Sequence, residues 1–281
     1  MRFGFHISIA RGFSRVIESA QKSKCETIQI FSRNPRGWGY KAIVPSEAER
    51  FKEDRVASDI SPVFVHLPYL PNLASDQKEL YAKSIDSLCE DLRRAAVLNI
   101  PFLIIHVGNR GSLSEKEAVS RVIKGINTSL QAVDNQVMIL LENTAGQGTE
   151  IGFTFSQLRQ MFSGVEDKGR IGICLDTAHA FAAGYDFSSQ KGLDAALSEF
   201  DRLIGIQHLH LIHLNDAKAP LGSRADRHWH IGEGYIGLKG FRHIVNHPLL
   251  EHLPGIMETP RTDLKDDLRN MTVIRGLLKK G

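Results

Sequence analysis

The stretch VMILLE (residues 137–142) is a short apolar run that ends on the carboxylate Glu142, and IGICLD (residues 171–176) has the same form and ends on Asp176. Because neither run alternates apolar with polar residues, each is typical of a parallel strand that is buried on both faces. Six further runs of this kind occur, at RFGFHI (2–7), TIQIFS (27–32), PVFVH (62–66), FLIIH (102–106), LHLIH (209–213) and GIME (255–258). The sequence therefore predicts eight parallel strands.

Amphipathic helical patterns separate these runs. Two of the patterns begin with the spacing of a capping box, at Ser114 with Glu117 and at Ser46 with Glu49. The strand ends recur on average about every 36 residues, in keeping with the ~30 or more residues of one strand–helix unit. Eight such units predict a single (β/α)8 TIM barrel over residues 1–281. A doubly wound open sheet is the structural alternative, but no G-x-G-x-x-G turn follows the first strand.

The composition is that of an ordinary globular protein, since 42% of the 281 residues are hydrophobic and 24% are charged. The formal net charge of +3 is too small to indicate nucleic-acid binding by itself. The three cysteines include no C-x-x-C, which favours reduced thiols in a cytoplasmic protein over a disulfide framework. There is no signal-peptide pattern and no apolar run of membrane-spanning length, so we expect a cytoplasmic or nucleoid-associated protein that is neither secreted nor membrane-bound.

Ionisable residues end most of the predicted strands. In a barrel of this kind the C-terminal ends of the strands meet at one mouth. One such residue alone is commonly a core histidine bonded to a carbonyl, or a carboxylate that caps the next helix. Burying the whole set would cost several kcal/mol for each unpaired charge, and divalent cations remove that cost. Seven of the eight runs have such a residue at their last position or, in the first run, next to it, namely His6, His66, His106, Glu142, Asp176, His213 and Glu258.

Two neighbouring groups extend this cluster. His179 lies one helical turn beyond Asp176, and the loop after the seventh strand carries Asp226 and His228. The candidate ligands are more than one metal ion can use, so we infer at least two ions. Imidazoles and carboxylates without a thiolate favour zinc or manganese. Two metal ions ~3.5–4 Å apart that share a bridging carboxylate are typical of phosphate-ester hydrolases.

Several segments closely resemble the endonuclease IV family, the zinc-dependent apurinic/apyrimidinic (AP) endonucleases of base-excision repair. The segments are QIFSRNPRGW (29–38), HLPYLPNLAS (66–75), ENTAGQGTEIG (142–152), DTAHAFAAGYD (176–186), HLNDAKAPLGSRADRHWHIGEG (213–234) and ETP (258–260). They follow one another along essentially the whole chain. The most specific of them are DTAHAFAAGYD and the GSRADRH portion of the fifth segment.

The resemblance implies a site with three zinc ions (Zn²⁺) per chain on a (β/α)8 barrel, and no nucleotide cofactor. The residues that match the family's ligands are His66, His106 and Glu142 for the first metal, Glu142, Asp176, His213 and Glu258 for the second, and His179, Asp226 and His228 for the third. Glu142 would therefore bridge two metals, and we expect it to be the catalytic residue. None of the family's ligands is missing from the sequence.

The resemblance also implies the reaction. A metal-bound hydroxide would hydrolyse the phosphodiester 5′ to an abasic site, leaving a 3′-hydroxyl and a 5′-deoxyribose phosphate. Because the deoxyribose lies within damaged double-stranded DNA, it must leave the stack to reach a barrel mouth. Arg36, Tyr69 and Leu70 match the family's DNA-inserting positions. The loop after the seventh strand adds three cations that we expect to meet backbone phosphates, namely Lys218, Arg224 and Arg227.

Some positions depart from the family's commonest pattern, but none of them is a ligand. Leu67-Pro68 stand where many relatives have Asp-Ser, and Val107-Gly108-Asn109 stand where Pro-Gly-Ser is common. We expect these changes to affect the support of the neighbouring ligands or the range of substrates.

The remaining histidines near the site are expected to be structural. Strand parity places His208 and His210 on the face opposite His213, and we expect His6 to support the ligands rather than bind metal. His230 has the same parity as His228, so spacing alone does not exclude it as a ligand. The family pattern Asp-Arg-His places the ligand at His228.

Two other functions stay open. A metal-dependent sugar isomerase or epimerase of the xylose-isomerase-like class would use the four ligands of the second metal about equally well. It does not easily explain the third ligand group or the basic loop 218–227. A non-catalytic module that binds DNA damage is the other alternative. Whether the protein is an endonuclease or a non-catalytic DNA-binding module, we expect a monomer that has no membrane partner.

Overall fold

A computed structural model describes residues 1–279 of the chain, and its strands form a closed barrel and a small ribbon. The strands are β1 (Phe3–Ile7), β2 (Thr27–Phe31), β3 (Val63–His66), β4 (Phe102–His106), β5 (Met138–Glu142), β6 (Ile171–Asp176), β7 (Leu209–His213), β8 (Asp216–Ala217), β9 (His228–Trp229) and β10 (Gly255–Met257). The barrel contains β1 to β7 and β10, all parallel, with β10 paired to both β7 and β1. The antiparallel pair β8–β9 lies outside the barrel sheet. The predicted TIM barrel is confirmed.

Helices connect the strands. Their bounds are α1 (Val16–Lys22), α2 (Pro45–Ser58), α3 (Lys78–Val97), α4 (Glu115–Ala132), α5 (Phe155–Gly164), α6 (Thr177–Ala183), α7 (Gln190–Leu203), α8 (Gly237–Val245) and α9 (Leu264–Gly276). Short 3₁₀ turns occupy Phe13–Arg15, Lys168–Arg170 and Ile206–His208. None of the helices within residues 1–279 is long and apolar enough to span a membrane.

One of the two predicted capping boxes is present. The Ser114 hydroxyl accepts the Glu117 N–H, and the Glu117 carboxylate accepts the Ser114 N–H at 2.9 Å, at the start of α4. The capping box predicted at Ser46 is wrong, because α2 begins at Pro45, two residues before the start that an N-cap at Ser46 implies, with Val44 as its N-cap. Proline suits the first helical position because its φ is already helical and that position needs no N–H donor.

The barrel interior has an apolar layer beneath a polar one. The apolar layer consists of Phe64, Ile104, Leu140, Cys174, Leu211 and Ile256. Since alternate residues of a strand share a face, the residue two positions further on points into the same interior. Those residues are His66, His106, Glu142, Asp176, His213 and Glu258. Strand periodicity therefore places six ionisable side chains on top of an apolar plug.

The outer faces of the same strands pack against the helices. Leu103 and Ile105 of β4, and Ile139 and Leu141 of β5, are completely buried on this side. Burial of both faces explains why the runs are apolar throughout rather than alternating.

A β-bulge in β7 changes one expectation. The register between β6 and β7 shifts so that Cys174 pairs with Leu211, while Ile173 pairs with Leu209. The extra residue, His210, therefore points into the barrel, where its ring lies 5.7 Å from that of Phe102. The prediction that His210 lies on the outer face is wrong, because parity counting assumes an unbroken ladder. His208 does lie outside, with its ring 4.6 Å from that of Phe162 on α5.

We expect Gly4→Ala to be strongly destabilising. Gly4 lies two residues before His6 on β1, where a Cβ atom would overlap the backbone carbonyl of Thr27 on β2. Because backbone cannot move aside as a side chain can, the free energy of unfolding should fall by about 3 kcal/mol or more. The measurement is the urea unfolding midpoint. Gly276→Ala is the matched control, since a Cβ atom there meets nothing within 4 Å, and equal midpoints for the two variants would refute this account of β1.

Candidate metal centre

Glu142 is the centre of the polar layer. Its carboxylate is completely buried at the end of β5. Oε2 lies 3.1 Å from Nε2 of both His66 and His106. Oε1 lies 2.9 Å from Nδ1 of His213 and 3.4 Å from Nδ1 of His179. The two oxygens of the Glu142 carboxylate thus face different imidazoles, Oε2 those of His66 and His106 and Oε1 those of His213 and His179.

Two further carboxylates surround His213. Asp176 Oδ2 lies 3.8 Å from His213 Nδ1, and Glu258 Oε2 lies 3.4 Å from the same nitrogen. The other oxygen of Asp176 caps α6 by accepting the His179 N–H at 2.8 Å. Asp176 therefore joins the end of β6 to the first turn of the following helix.

A third group lies beside α6 and the β8–β9 ribbon. Nε2 of His179 and Nε2 of His228 are 3.2 Å apart. Asp226 Oδ1 lies 3.3 Å from the first of these nitrogens and 3.5 Å from the second. Burial acts to raise the pKa of Asp226, but the imidazoles of His179 and His228 beside its carboxylate lower that pKa to about 2.

The structure thus brings together all nine ligands expected from the sequence. Three sets of donor atoms lie within 4.8 Å of one another, namely His66–His106–Glu142, Glu142–Asp176–His213–Glu258 and Asp176–His179–His228. Cys174 lies close to Glu142 and His213 as well. Burial raises the pKa of the Cys174 thiol to about 12, so it stays protonated at neutral pH and is a poor ligand.

Backbone carbonyls set the tautomers of three imidazoles. Nδ1 of His66 lies 2.7 Å from the Leu67 carbonyl oxygen, and Nδ1 of His179 lies 2.9 Å from that of Asn143. His228 makes the same contact with the Glu258 carbonyl at 3.3 Å. Since a carbonyl oxygen can only accept, each Nδ1 carries the proton. The Nε2 lone pair of each neutral ring consequently points into the cluster.

This arrangement requires positive charge between the rings. The two Nε2 lone pairs of His179 and His228 face each other, and the lone pair of His66 faces the Glu142 carboxylate. Burial alone would lower the pKa of His179, but the carboxylates around it, led by Asp176, raise it well above its usual value. Protons can supply the charge. Divalent cations supply it better, because imidazole nitrogen and carboxylate oxygen are their ordinary ligands, so the donor set fits metal ions.

Sequence reasoning missed Gln29, which orients the fourth ring. Its Nε2 donates to Glu258 Oε1 at 2.6 Å and to His6 Nδ1 at 2.9 Å. Its Oε1 accepts from His213 Nε2 at 2.7 Å, which leaves the His213 Nδ1 lone pair directed at Glu142. Gln29 is a completely buried polar residue in the middle of β2. A polar residue inside the apolar run TIQIF was the available signal.

Two buried asparagines and Asp216 were missed as well. Asn143 and Asn215 both bond to Asp176, the first through the Asp176 backbone and the second through Oδ2 at 2.7 Å. The buried Asp216 carboxylate accepts backbone N–H groups from Ala217, Gly232, Gly234, Ile236 and Gly237. It thereby ties together both ends of the loop that carries Asp226 and His228.

Residues expected to contact DNA lie at the rim. Tyr69 is 73% exposed and Leu70 is 37% exposed, although the Tyr69 ring packs edge-on against Phe31 at 5.3 Å. Arg36 is exposed in the loop after β2. Tyr69 lines two adjacent cavities of about 430 and 450 Å³, the first of which contains His179 and most of the other imidazoles.

The expected phosphate-binding cations are also exposed. The Lys218 ammonium lies 3.7 Å from the centre of the Trp229 ring, and the Arg224 guanidinium lies 4.3 Å from that of Phe153. Arg227 donates to the Asp226 carbonyl at 2.6 Å. Aromatic contacts thus hold two of the three cations beside the site and leave their charges in solvent.

Comparison with known proteins identifies similar chains along the full length. A family described as the xylose isomerase-like TIM barrel matches residues 17–275. "Probable endonuclease 4" from Methanoculleus marisnigri is 46% identical over 275 residues, covering 98% of each chain. The protein of the same name from Methanosphaerula palustris is 44% identical over 280 residues, covering 99% of this chain and 98% of its own. The crystal structure of endonuclease IV from Thermus thermophilus has a TM-score of 0.88 at 36% identity, covering 99% of this chain and 98% of that one.

The geometry separates His228 from His230. His230 Nδ1 lies 3.1 Å from the side-chain amide nitrogen of Asn270, which also donates to Thr259. His228→Ala should therefore lose about one metal ion per chain, because three donors no longer converge. His230→Ala should keep the parent's metal content. Elemental analysis of both purified variants, checked for folding by circular dichroism, makes the comparison. Loss of metal from His230→Ala alone would reverse the assignment.

Proposed function

Since this chain belongs to the endonuclease IV family, we propose that it is a zinc-dependent AP endonuclease of DNA repair. It hydrolyses the phosphodiester 5′ to an abasic site in duplex DNA and leaves a 3′-hydroxyl and a 5′-deoxyribose phosphate. The observation that supports this most strongly is the convergence of nine ligand side chains, with imidazole lone pairs turned inward, at a rim that exposes Tyr69 and several cations.

Three groups of residues would hold three zinc ions. They are His66, His106 and Glu142, then Glu142, Asp176, His213 and Glu258, and finally His179, Asp226 and His228. Five imidazoles in the set favour zinc over harder cations. When bound, the zinc ions supply positive charge to the phosphodiester and lower the pKa of a water molecule.

Glu142 is the proposed catalytic residue. Its two oxygens face separate imidazole groups, His66 and His106 on one side and His213 on the other. Complete burial prevents water from competing for either oxygen. Burial acts to raise the pKa of Glu142, but the imidazoles around it, led by His106, hold that pKa well below its usual value. The carboxylate therefore stays ionised and fixes the distance between the two imidazole groups on either side of it.

The chain's own rim residues would extract the abasic nucleotide. Tyr69 lines both cavities and is exposed, so its ring would be available to a nucleotide that enters the metal cavity. Inserting an aromatic ring and the neighbouring Leu70 into the gap would replace the stacking that the missing base no longer provides. Arg36 would enter beside them, and the cations at residues 218, 224 and 227 would meet backbone phosphates.

The third ligand group disfavours a sugar isomerase or epimerase. Such an enzyme needs only the four ligands around His213. It gives no reason for His179 and His228 to direct two lone pairs at one point beside Asp226. Exposed cations above the mouth also suit a polyanion better than a neutral sugar.

Nicking of an abasic duplex tests the chemistry. The parent protein should nick it 5′ to the lesion, and a strong chelator should abolish the reaction. Glu142→Gln keeps the shape but loses the bridging charge, so nicking should fall by several orders of magnitude while DNA binding survives. Glu199→Gln on α7 is the matched control and should behave as the parent. Full activity in chelator, or in Glu142→Gln, would contradict the proposal.

Tyr69→Ala tests the capture step separately. Loss of one stacking ring should weaken affinity for the abasic duplex by about tenfold, within the range for one aromatic contact. Metal content should not change, because Tyr69 contacts no ligand through a polar atom. Binding is measured by fluorescence anisotropy with labelled abasic and intact duplexes. Unchanged affinity and unchanged nicking would show that Tyr69 only packs against Phe31.

A further inference from the structure

The loop between β2 and α2 has an unusual support. Residues 32–44, all within the described chain, form neither helix nor strand, yet they carry Arg36. Two arginines pack almost completely buried at the base of this loop, Arg33 from the loop itself at 4% exposure and Arg94 from α3 at 6%. Asp91 of α3, which is completely buried, pairs with Arg33. Burying charges costs desolvation free energy, so charges buried at the base of an irregular loop suggest a role for that loop.

Arg33 joins the loop to α3. Its Nε and Nη2 donate to Asp91 Oδ2 at 3.0 and 2.9 Å, and Nη2 also donates to the Ser87 hydroxyl. Its Nη1 reaches the backbone carbonyls of Gly37 and Trp38 at 3.3 and 3.4 Å. One planar guanidinium therefore bridges the helix and the segment directly after Arg36.

Arg94 holds the two ends of the same loop. Its Nε and Nη2 donate to the Ser32 carbonyl at 3.1 and 2.6 Å, and Nη1 donates to the Lys41 carbonyl at 2.8 Å. The ring of Tyr40 lies 6.0 Å from both guanidinium carbons. Two buried arginines thus donate to four backbone carbonyls of the loop.

The Arg33–Asp91 ion pair is weak evidence for stability, because removing its charges from water offsets most of their attraction. The hydrogen bonds from the two arginines to the loop carbonyls instead fix the path of the loop. Along the chain, Arg36 lies between Arg33 and the two residues whose carbonyls Arg33 binds, Gly37 and Trp38. The backbone N–H of Arg36 donates to Asn34 Oδ1 at 3.1 Å. A side chain presented from an ordered loop loses less conformational entropy on binding than one presented from a mobile loop.

We propose that Arg33, Asp91 and Arg94 form a clamp that pre-positions Arg36 for capture of the abasic duplex. The role in DNA capture rests on the proposed function. All three are positioning residues, since none of them lines either cavity at the metal centre. The clamp acts on substrate affinity through Arg36 and does not alter the chemistry at the metal centre.

Arg33→Lys tests the clamp. Lysine keeps the charge beside Asp91 but lacks the fork that reaches two carbonyls. In a Trp229→Phe background Trp38 is the only tryptophan, because the chain has two, so its fluorescence anisotropy reports on the loop. Arg33→Lys should lower that anisotropy. In single-turnover nicking it should raise the half-saturating enzyme concentration about tenfold, while the maximum rate changes less than twofold.

A double-mutant cycle with Arg36→Ala distinguishes positioning from general stability. Arg36→Ala alone should raise the half-saturating concentration, and adding Arg33→Lys should then have almost no further effect. Arg170→Lys is the matched control. That buried arginine also donates to backbone carbonyls, those of Val133 and Val137, but outside this loop. It should lower the unfolding midpoint while leaving Trp38 anisotropy and half-saturation unchanged.

Other outcomes overturn the clamp. An additive loss in the double variant, or unchanged Trp38 anisotropy in Arg33→Lys, shows that Arg33 does not act through Arg36. If Arg33→Lys does not fold, Asp91→Asn replaces it with the same expectations. If the parent fails to nick the abasic duplex, the proposed function fails, and Trp38 anisotropy alone then decides whether the loop is clamped.

Discussion

The buried carboxylate of Glu142 and the imidazole lone pairs directed toward it constrain the rest of this structure. A completely buried carboxylate surrounded by neutral rings whose lone pairs point inward is unstable unless cations lie between them. The backbone carbonyls that accept the Nδ1–H of His66, His179 and His228, and the Gln29 amide oxygen that accepts the Nε2–H of His213, leave the remaining lone pair of each ring turned into the cluster. Four independent contacts therefore favour one arrangement, in which the buried side chains could bind metal ions.

The barrel makes this convergence possible. Parallel strands that close into a barrel bring their C-terminal ends together. Because alternate residues of each strand point into the barrel, a polar layer lies directly above an apolar one. The apolar layer of Phe64, Leu140 and their neighbours excludes water from below. The third ligand group is positioned by a loop rather than by the barrel strands alone. Asp216 draws the ends of a long loop together through five backbone N–H groups, so Asp226 and His228 lie beside His179.

Much of this could be predicted from the sequence, because the decisive signals are local. Apolar runs that end on His, Asp or Glu predicted the strands, the barrel and the cluster at its mouth. The expectation for His210 failed because a bulge is a property of two paired strands, and the pairing of Ile173 with Leu209 cannot be read from either run. Gln29 and Asp216 were missed because their importance lies in contacts with distant segments. Arg33 was missed for the same reason, since its partner Asp91 lies 58 residues away.

Anomalous diffraction at the zinc absorption edge, from crystals of the purified protein, tests the central claim most directly. The account predicts three zinc peaks, two of them on opposite sides of the Glu142 carboxylate and one among His179, Asp226 and His228. Each should lie ~2.0–2.2 Å from its nitrogen and oxygen ligands. A single peak, or metal bound away from the imidazole lone pairs, would contradict it.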